Sequence, residues 1–138
     1  MNREPTSTVD EEGTKVWRLD GKVHRTDGPA IEYADGNKYW FVDGKQHRID
    51  GPAIELANGT KYWFVDGKIH RLDGPAIELA DGNKFWYIDD KELTEEEFNQ
   101  HPAVCMYKQK QQIKKDLTSN KDFDDDTRDD LEAVLLDL

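Results

Sequence analysis

The chain has 138 residues, a formal net charge of −11, and hydrophobic and charged residues in equal shares of 36%. This acidic excess repels phosphate backbones and anionic lipids, which argues against direct binding of nucleic acids or membranes and favours a protein partner, above all a basic one. The single cysteine, Cys105, excludes an internal disulfide, and no stretch approaches the roughly 18 apolar residues of a membrane span, so we expect a cytoplasmic protein.

Residues 1–11 lack the apolar run of a signal peptide and are assigned to a flexible N-terminus. From residue 12 to residue 93 the sequence repeats with a period of 23 residues. The repeated positions are Trp17, Trp40, Trp63 and Trp86, then His24, His47 and His70, and the Asp-Gly-Pro-Ala-Ile-Glu blocks that begin at Asp27, Asp50 and Asp73. Such a period predicts a repeat array of three full units with incomplete ends.

Each unit carries two dipeptides typical of a hairpin turn, of which Asp43-Gly44 and Asn58-Gly59 are examples. Both dipeptides accept the positive φ angles of a type I′ turn, and Pro52 marks a bend between them. The aromatic and β-branched runs between the turns predict strands. The predicted fold is therefore mainly β, an antiparallel β-meander with about seven strands in residues 13–89.

Turn length sets which residues pair across strands. Two-residue loops at Asp43-Gly44 and Asp35-Gly36 would pair Trp40 with His47 on one side and Ile31 on the other. A three-residue loop at Asp35-Gly36-Asn37 would change this register. With two-residue loops, one face holds Trp40, Val42, His47, Ile31 and Tyr33 and forms the core, and the other holds Tyr39, Phe41, Arg48, Gln46, Ala30 and Glu32.

The repeats resemble those of proteins from bacteriophages and large DNA viruses that are described as MORN-like. The matching residues are the Trp, the Asp-Gly-Lys, the His-Arg-x-Asp-Gly-Pro-Ala and the second Gly of each unit, over residues 13 to 98. The resemblance implies rows of antiparallel hairpins and a protein-scaffolding role. MORN repeats are sometimes linked to phospholipids, but here Trp replaces their leading Tyr and Asp-Gly-Pro-Ala has no counterpart, so lipid binding is not carried over.

Residues 94–138 are predicted to be helical. Thr94 and Glu97 form a capping box, which predicts a helix that begins at Glu95 and ends before Pro102. A second helix is expected over residues 103–117 and a third, acidic one near Asp125 or Asp126, so that the segment holds two or three helices. One face of the final helix is apolar and is an alternative partner-binding site, made of Leu131, Val134, Leu135 and Leu138.

The repeated His and Arg residues could suggest metal binding or catalysis. Equivalent histidines in neighbouring units would lie about 10 Å apart, because two strands separate them, whereas zinc requires ligands at ~2.0–2.1 Å. We therefore predict structural roles: each His bonded to backbone, and each Arg-x-Asp pair, such as Arg25 and Asp27, bracing its turn. Cys105 has no evident His partner and is expected to be a buried thiol.

The predicted partner-binding site is a stripe of aromatic residues with two arginines beside it, since interface hot spots are enriched in these residue types. Alternatively, the C-terminal helices cover this stripe. Its members are Tyr39, Phe41, Arg48, Tyr62, Phe64, Arg71, Phe85 and Tyr87.

We therefore expect a non-catalytic protein–protein interaction module without cofactor or metal, and a viral (phage) protein that binds and modulates a host factor, such as a defence protein, in the host cytoplasm. One alternative is an acidic nucleic-acid mimic acting through the C-terminal segment, and another is a sponge for a small nucleotide signal. A face left uncovered could also form a homodimer.

Overall fold

The computed structural model describes residues 3–119 and, beyond them, Asp129 and Ala133. The chain divides into two compact units after Phe98. The first unit is mainly β. Its strands are β1 Thr6–Val9, β2 Lys15–Leu19, β3 Lys22–Val23, β4 Ile31–Glu32, β5 Lys38–Tyr39, β6 Phe41–Val42, β7 Lys45–Gln46, β8 Ile54–Glu55, β9 Lys61–Tyr62, β10 Phe64–Val65, β11 Lys68–Ile69, β12 Ile77–Glu78, β13 Lys84–Ile88 and β14 Lys91–Leu93.

The strands form an antiparallel, meander-like sheet. Its order is β1-β2-β4-β5-β8-β9-β12-β13-β14, with β3 paired to β2, while β6–β7 and β10–β11 are separate two-stranded hairpins. Two helices follow, α1 Glu95–Gln100 and α2 Pro102–Ser119. A mainly β antiparallel meander with C-terminal helices is confirmed.

The strands are shorter and more numerous than expected, since residues 13–89 hold twelve strands, β2 to β13, instead of about seven. The outgoing strand of a unit is interrupted at Trp40, which divides β5 from β6, and the returning strand is interrupted between β7 and β8. Pro52 lies in that second gap and has no N–H to donate to a sheet. The chain stays bonded across both interruptions, since the Trp40 N–H donates to Ala53 O at 2.7 Å and the His47 N–H to Trp40 O at 3.1 Å.

Two different kinds of turn connect the strands. At Asp43 and Gly44, φ is 51° and 78°, and Val42 pairs with Lys45. Because both central residues have positive φ, this is the predicted two-residue type I′ turn. The same pair of angles recurs at Asp20-Gly21 and at Asp66-Gly67.

The turns at the other end of the units are longer than predicted. The Tyr33 N–H donates to Asn37 O at 2.9 Å and the Gly36 N–H to Tyr33 O at 3.0 Å, with φ of 100° at Gly36 alone. This is a three-residue loop that ends in a left-handed glycine, a common alternative to the two-residue turn. The turn at Asn58-Gly59 is of the same kind, so its assignment to type I′ was wrong.

The extra loop residue shifts the pairing of β4 by one position. Ile31 pairs with Tyr39, and not with Trp40 as expected. A one-residue shift moves every side chain of a strand to the opposite face. Ile31 therefore shares a face with Tyr39, whereas Ala30 and Glu32 lie on the face of Trp40. The predicted pairing of Trp40 with His47 agrees with the β6–β7 register, in which Phe41 pairs with Gln46.

This register places two continuous rows on opposite faces, because residues paired directly across strands point to the same side. The first, which we call the isoleucine–aromatic row, consists of Val16, Ile31, Tyr39, Ile54, Tyr62, Ile77 and Phe85. The second, the lysine–glutamate row, consists of Lys15, Glu32, Lys38, Glu55, Lys61, Glu78 and Lys84. Opposite charges alternate along the whole second row, and each such cross-strand pair contributes roughly 0.2–1 kcal/mol to stability.

The buried core of the sheet is thin. Ala30, Ala53 and Ala76 are fully inaccessible, and Ile54 is 9% exposed. These alanines lie on the side of the tryptophans, which are themselves only half-buried. The core therefore lies on the Trp face, as expected. Its fully covered side chains, however, are the small alanines and not the tryptophans.

No strand was expected within residues 1–11, whereas Thr6–Val9 forms β1 and pairs with β2. The β-branched side chains of Thr6, Thr8 and Val9 suit an extended backbone. All four residues of β1 are exposed.

Helix α1 begins as predicted. The Glu97 N–H donates to Thr94 Oγ1 and the Thr94 N–H donates to Glu97 Oε1, both at 3.1 Å, which completes the capping box. The bond that the Thr94 backbone donates to the Glu97 carboxylate, followed by the interaction of that carboxylate with the Thr94 hydroxyl, lowers the pKa of Glu97.

In α2, Val104 and Leu117 are buried. Met106 and Ile113 of the same helix are 54% and 44% exposed. Cys105 is exposed, so its expected burial was wrong. No helix within the described residues is long and apolar enough to cross a membrane.

The predicted third helix lies almost entirely outside the described residues. Asp129 and Ala133 are described, and both are helical and exposed. The four apolar residues proposed there as an alternative partner-binding face also lie outside the described residues. They are Leu131, Val134, Leu135 and Leu138.

Replacing Thr94 with alanine should raise the pKa of Glu97 towards its ordinary value, because both hydroxyl and backbone bonds of the capping box loosen. Since the folded-state pKa of Glu97 is lowered, the box stabilises α1 above the unfolded-state pKa, and this stabilisation is lost as pH falls through the folded-state pKa. Carboxyl NMR titration measures the shift. Glu96→Gln, outside the box, is the control, and an unchanged Glu97 pKa in Thr94→Ala would contradict this account.

Candidate functional site

Three arginines stack on tryptophans eight residues earlier in the chain. The guanidinium carbon Cζ lies 4.4 Å from the ring centroid for Arg25 over Trp17, 4.0 Å for Arg48 over Trp40, and 3.8 Å in the third pair. The third pair is Arg71 over Trp63. These distances are within the range of a cation–π contact. The three arginine side chains are only about one fifth exposed.

Each stacked guanidinium also holds the loop that follows it. Arg48 Nε donates to Asp50 Oδ1 at 3.0 Å, and Arg48 Nη1 donates to Pro52 O at 3.0 Å and to Glu55 Oε1 at 3.2 Å. The bonds of Arg25 and Arg71 to the corresponding Asp and Pro have lengths of 2.7–3.1 Å. The prediction that the Arg-x-Asp pairs brace the turns is confirmed.

Gly51 leaves the space that the guanidinium occupies. A Cβ atom at Gly51 would lie 2.8 Å from Arg48 Cζ, and Gly28 and Gly74 have the same relation to their arginines. Each residue of the His-Arg-x-Asp-Gly-Pro-Ala motif thus has a separate role. The Asp and the Pro carbonyl accept hydrogen bonds from the Arg, the Gly makes room for it, and the Ala is covered completely.

The histidines connect one hairpin to the next. His47 Nδ1 accepts a hydrogen bond from the Asp66 N–H at 3.0 Å, and the Asp66 carboxylate lies 3.4 Å away. His24 accepts in the same way from Asp43, and His70 from Asp89. The predicted bonding of each His to backbone is confirmed. Among the residues that the structure describes, no group of three or more His, Cys, Asp or Glu could hold a metal ion.

The predicted stripe is brought together only in part. Tyr39, Tyr62 and Phe85 stand in the isoleucine–aromatic row, and all six aromatic residues of the stripe are partly buried. The other three lie two residues further along the chain, in β6, β10 and β13. They are Phe41, Phe64 and Tyr87.

Arg48 and Arg71 contact the aromatic stripe through their backbones, since the Arg48 N–H donates to Phe64 O at 3.1 Å and the Arg71 N–H to Tyr87 O at 3.2 Å, but their side chains do not join it. Their guanidinium groups stack on Trp40 and Trp63 and bond to glutamates of the lysine–glutamate row. The reason is that both arginines follow the end of a strand, so the alternation of strand faces does not apply to them. The chain at that point folds back over the tryptophan.

Two tyrosines of the stripe, Tyr39 and Tyr87, have a raised pKa. Burial, followed by the nearby Tyr33, Asp35 and Tyr62, raises the pKa of Tyr39. Burial and a hydrogen bond with the Glu92 carboxylate raise the pKa of Tyr87. A neutral phenol combines an apolar ring with a hydrogen-bonding end, which suits a contact surface.

An open groove of about 660 Å³ separates two neighbouring arginine loops, with Trp40 and His47 among its lining residues. Arg25 and Arg48 also line it, but both are bonded to aspartates, Asp27 and Asp50. The groove therefore offers no free cation for a phosphate, in the part of the chain that the structure describes.

The isoleucines of the row were not among the predicted site residues. Ile31, Ile54 and Ile77 alternate with the aromatic residues, and only the three-residue loops bring them to that face. A sequence signal does exist. Lysines and glutamates alternate in the sequence, and the observed register is the one that places them directly opposite each other on neighbouring strands. These residues are Lys15, Glu32, Lys38, Glu55, Lys61, Glu78 and Lys84.

Comparisons of the chain with protein-family models, with curated proteins and with solved structures found no match. The site is therefore interpreted from its own geometry.

Replacing Arg48 with lysine should lower the free energy of unfolding by on the order of 2 kcal/mol, because an ammonium group cannot stack flat on Trp40 while it bonds to Asp50 and Pro52. Chemical denaturation followed by Trp fluorescence measures the loss. If Arg48→Lys is as stable as the parent, the guanidinium does not hold the loop.

Gly51→Ala should cost about 1–3 kcal/mol in the parent, since its Cβ would press on the guanidinium. In an Arg48→Ala background the same change should be nearly neutral, which gives a coupling free energy of about 1 kcal/mol or more in a double-mutant cycle. Additive costs in this cycle would show that Gly51 is required for some other reason.

Proposed function

We propose that the chain is a non-catalytic protein–protein interaction module and that the isoleucine–aromatic row is its contact surface. The observation that carries this proposal is the row itself, which runs across seven strands of one sheet face. Six of its seven residues are partly exposed, and only Ile54 is buried. A long, partly exposed apolar surface of this kind is a feature of interaction sites.

The opposite face supports this choice of surface. Its arginines are bonded to aspartates, glutamates and proline carbonyls, and its tryptophans are covered by the arginines. Lysines and glutamates alternate along the rest of that face. The arginines and their aspartate, glutamate and proline partners satisfy one another, so a partner that displaced them would lose as many interactions as it formed. Valine, isoleucine and aromatic side chains form no ion pairs, so a partner can cover the isoleucine–aromatic row without breaking any.

We further propose that the 23-residue sequence period is also the structural unit, and that the chain is a viral, MORN-like repeat protein that modulates a host factor in the host cytoplasm. The recurrence of the arginine–tryptophan stack at positions 23 residues apart supports the first part. The second part rests on the resemblance of the Trp, Asp-Gly-Lys and His-Arg-x-Asp-Gly-Pro-Ala positions. A homodimer through the same row is the competing use of this surface.

The double variant Tyr39→Ala/Tyr62→Ala tests the surface, because both residues stand in the isoleucine–aromatic row. In affinity capture from host lysate, a stoichiometric partner bound by the parent should bind the variant at least about tenfold more weakly, because hot-spot aromatic residues carry most of an interface's energy. Lys38→Ala/Lys61→Ala on the opposite face is the matched control and should keep the partner. Thermal unfolding of both variants checks that each is folded.

Two results would count against the proposal. If the parent captures no stoichiometric partner and sedimentation shows a monomer at all concentrations, the row is not a contact surface. If sedimentation instead shows a dimer that the aromatic variant dissociates, the row joins two copies of this chain and not a host protein.

A further inference from the structure

The first strand of the sheet has a free edge. β1 ends the strand order, so within the part of the chain that the structure describes its only neighbouring strand is β2. The Asp10 N–H donates to Thr14 O at 3.1 Å, and in an antiparallel pair bonded and non-bonded positions alternate. Thr6 and Thr8 are therefore the residues whose backbone groups face β2. The N–H and C=O groups of Ser7 and Val9 face outward, and none of them has a partner among the described residues.

This edge lacks the features that usually protect an edge strand. Thr6–Val9 contains no charge and no proline, all four residues are exposed, and Val9 is 63% exposed. Edge strands are commonly protected by charged residues, by proline or by a covering segment. The other end of the sheet has such protection, because β14 begins with Lys91 and Glu92 and Leu93 leads directly into α1.

The charges around β1 define what could pair with it. Glu4 precedes the strand, and Asp10, Glu11 and Glu12 follow it, and all four are exposed. The carboxylate of Asp10 accepts bonds only from the N–H groups of its own turn, at 2.9 and 3.0 Å. On the other side Arg3 is bonded to Asp20 at 2.7 Å, so its charge is already compensated. The free edge is thus bounded by acids at both ends.

A second copy of this chain fits the edge poorly. In the antiparallel arrangement centred on Thr8, Ser7 of one copy pairs with Val9 of the other, and Glu4 then stands opposite Glu12. Like charges directly opposite each other destabilise a strand pair. The net charge of −11 adds a general repulsion between copies. An extended segment with lysine or arginine at its ends meets no such penalty.

We propose that the β1 edge binds an extended basic segment of a partner protein, which adds to the sheet as a further strand. The outward N–H and C=O groups of Ser7 and Val9 hold its backbone, as in other cases of strand addition. The acids at Glu4 and at residues 10–12 pair with its basic ends. This site is separate from the isoleucine–aromatic row and goes beyond the function proposed above.

The test uses the full chain and three synthetic peptides with blocked ends. The first alternates valine with lysine, the second replaces each lysine with glutamate, and the third keeps the lysines but replaces the valines with proline, so that it cannot form a strand ladder. The first peptide should slow amide hydrogen exchange at Ser7 and Val9 by at least about tenfold at saturation, with a dissociation constant that rises with salt. The other two should not.

Ser7→Pro separates strand addition from simple charge attraction. The Ser7 N–H faces outward, so proline there removes a group needed by the partner and none needed by β2. This variant should bind the valine–lysine peptide at least about tenfold more weakly, equivalent to 1.4 kcal/mol. Ser7→Ala, which keeps the N–H, should bind like the parent. Slow exchange at Thr6 and Thr8 checks that β1 remains paired.

If Ser7→Pro releases β1 from the sheet, the charge-reversal variant Glu11→Lys/Glu12→Lys still tests the proposal. It should weaken binding of the lysine peptide and allow the glutamate peptide to bind. Equal binding of the lysine peptide to the parent and to a folded Ser7→Pro variant would overturn the proposal, as would unchanged exchange at Ser7 and Val9. Protection of those amides that increases with protein concentration, without peptide, would identify a second copy as the occupant. Because Tyr39 and Tyr62 play no part in this assay, its outcome is independent of the isoleucine–aromatic row.

Discussion

The stacking of arginine on tryptophan is the interaction on which the other features of the sheet depend. A planar guanidinium can contact an aromatic face and form hydrogen bonds in its own plane at the same time. Arg48 uses both capacities, and so it holds Trp40, the Asp50 carboxylate and the Pro52 carbonyl in one arrangement. The loop between β7 and β8 is thereby fixed without any buried apolar side chain larger than those of Pro52 and Ala53.

This arrangement explains how a sheet of two-residue strands can be stable with a thin core. Each strand contributes few backbone bonds, and the fully covered side chains at the turns of the chain are alanines. Stability must therefore come from many contacts between neighbours along the sheet. These contacts are the arginine stacks, the bonds from each histidine to the next hairpin, and the alternating charges of the lysine–glutamate row.

Much of this fold could be predicted from the sequence. The type I′ turn at Asp43-Gly44, the bracing of loops by Arg-x-Asp and the capping box at Thr94 all follow from short local patterns with strong chemical preferences. These features depend on residues only a few positions apart. A single sequence therefore contains the information needed to recognise them.

The faces of the sheet could not be predicted in the same way. Asp35-Gly36 and Asp43-Gly44 are the same dipeptide, yet the first closes a three-residue loop and the second a two-residue turn. In the first loop the Asp35 carboxylate accepts a bond from the Asn37 N–H at 3.0 Å, and the next strand begins at Lys38. Opposing charges across strands favour this register, but they are visible only once the strands are aligned. The stacking of the Arg48 guanidinium on Trp40 was not predicted for a related reason. It depends on the path of the loop after β7, which no local sequence pattern describes.

The hydrogen bonds between hairpins also bear on the chemical ageing of the chain. An Asp-Gly sequence isomerises when the glycine nitrogen attacks the aspartate side chain, which requires that nitrogen to be free. At Gly44 and Gly67 it is held by the carbonyls of Val23 and Gln46, at 2.9 and 2.8 Å. Gly21, in the first of the three type I′ turns, donates to no carbonyl within residues 3–119. Among these three turns, Asp20-Gly21 is therefore the one whose glycine nitrogen is not held by a neighbouring hairpin, and the Asp20 carboxylate there is bonded to exposed Arg3 at 2.7 Å.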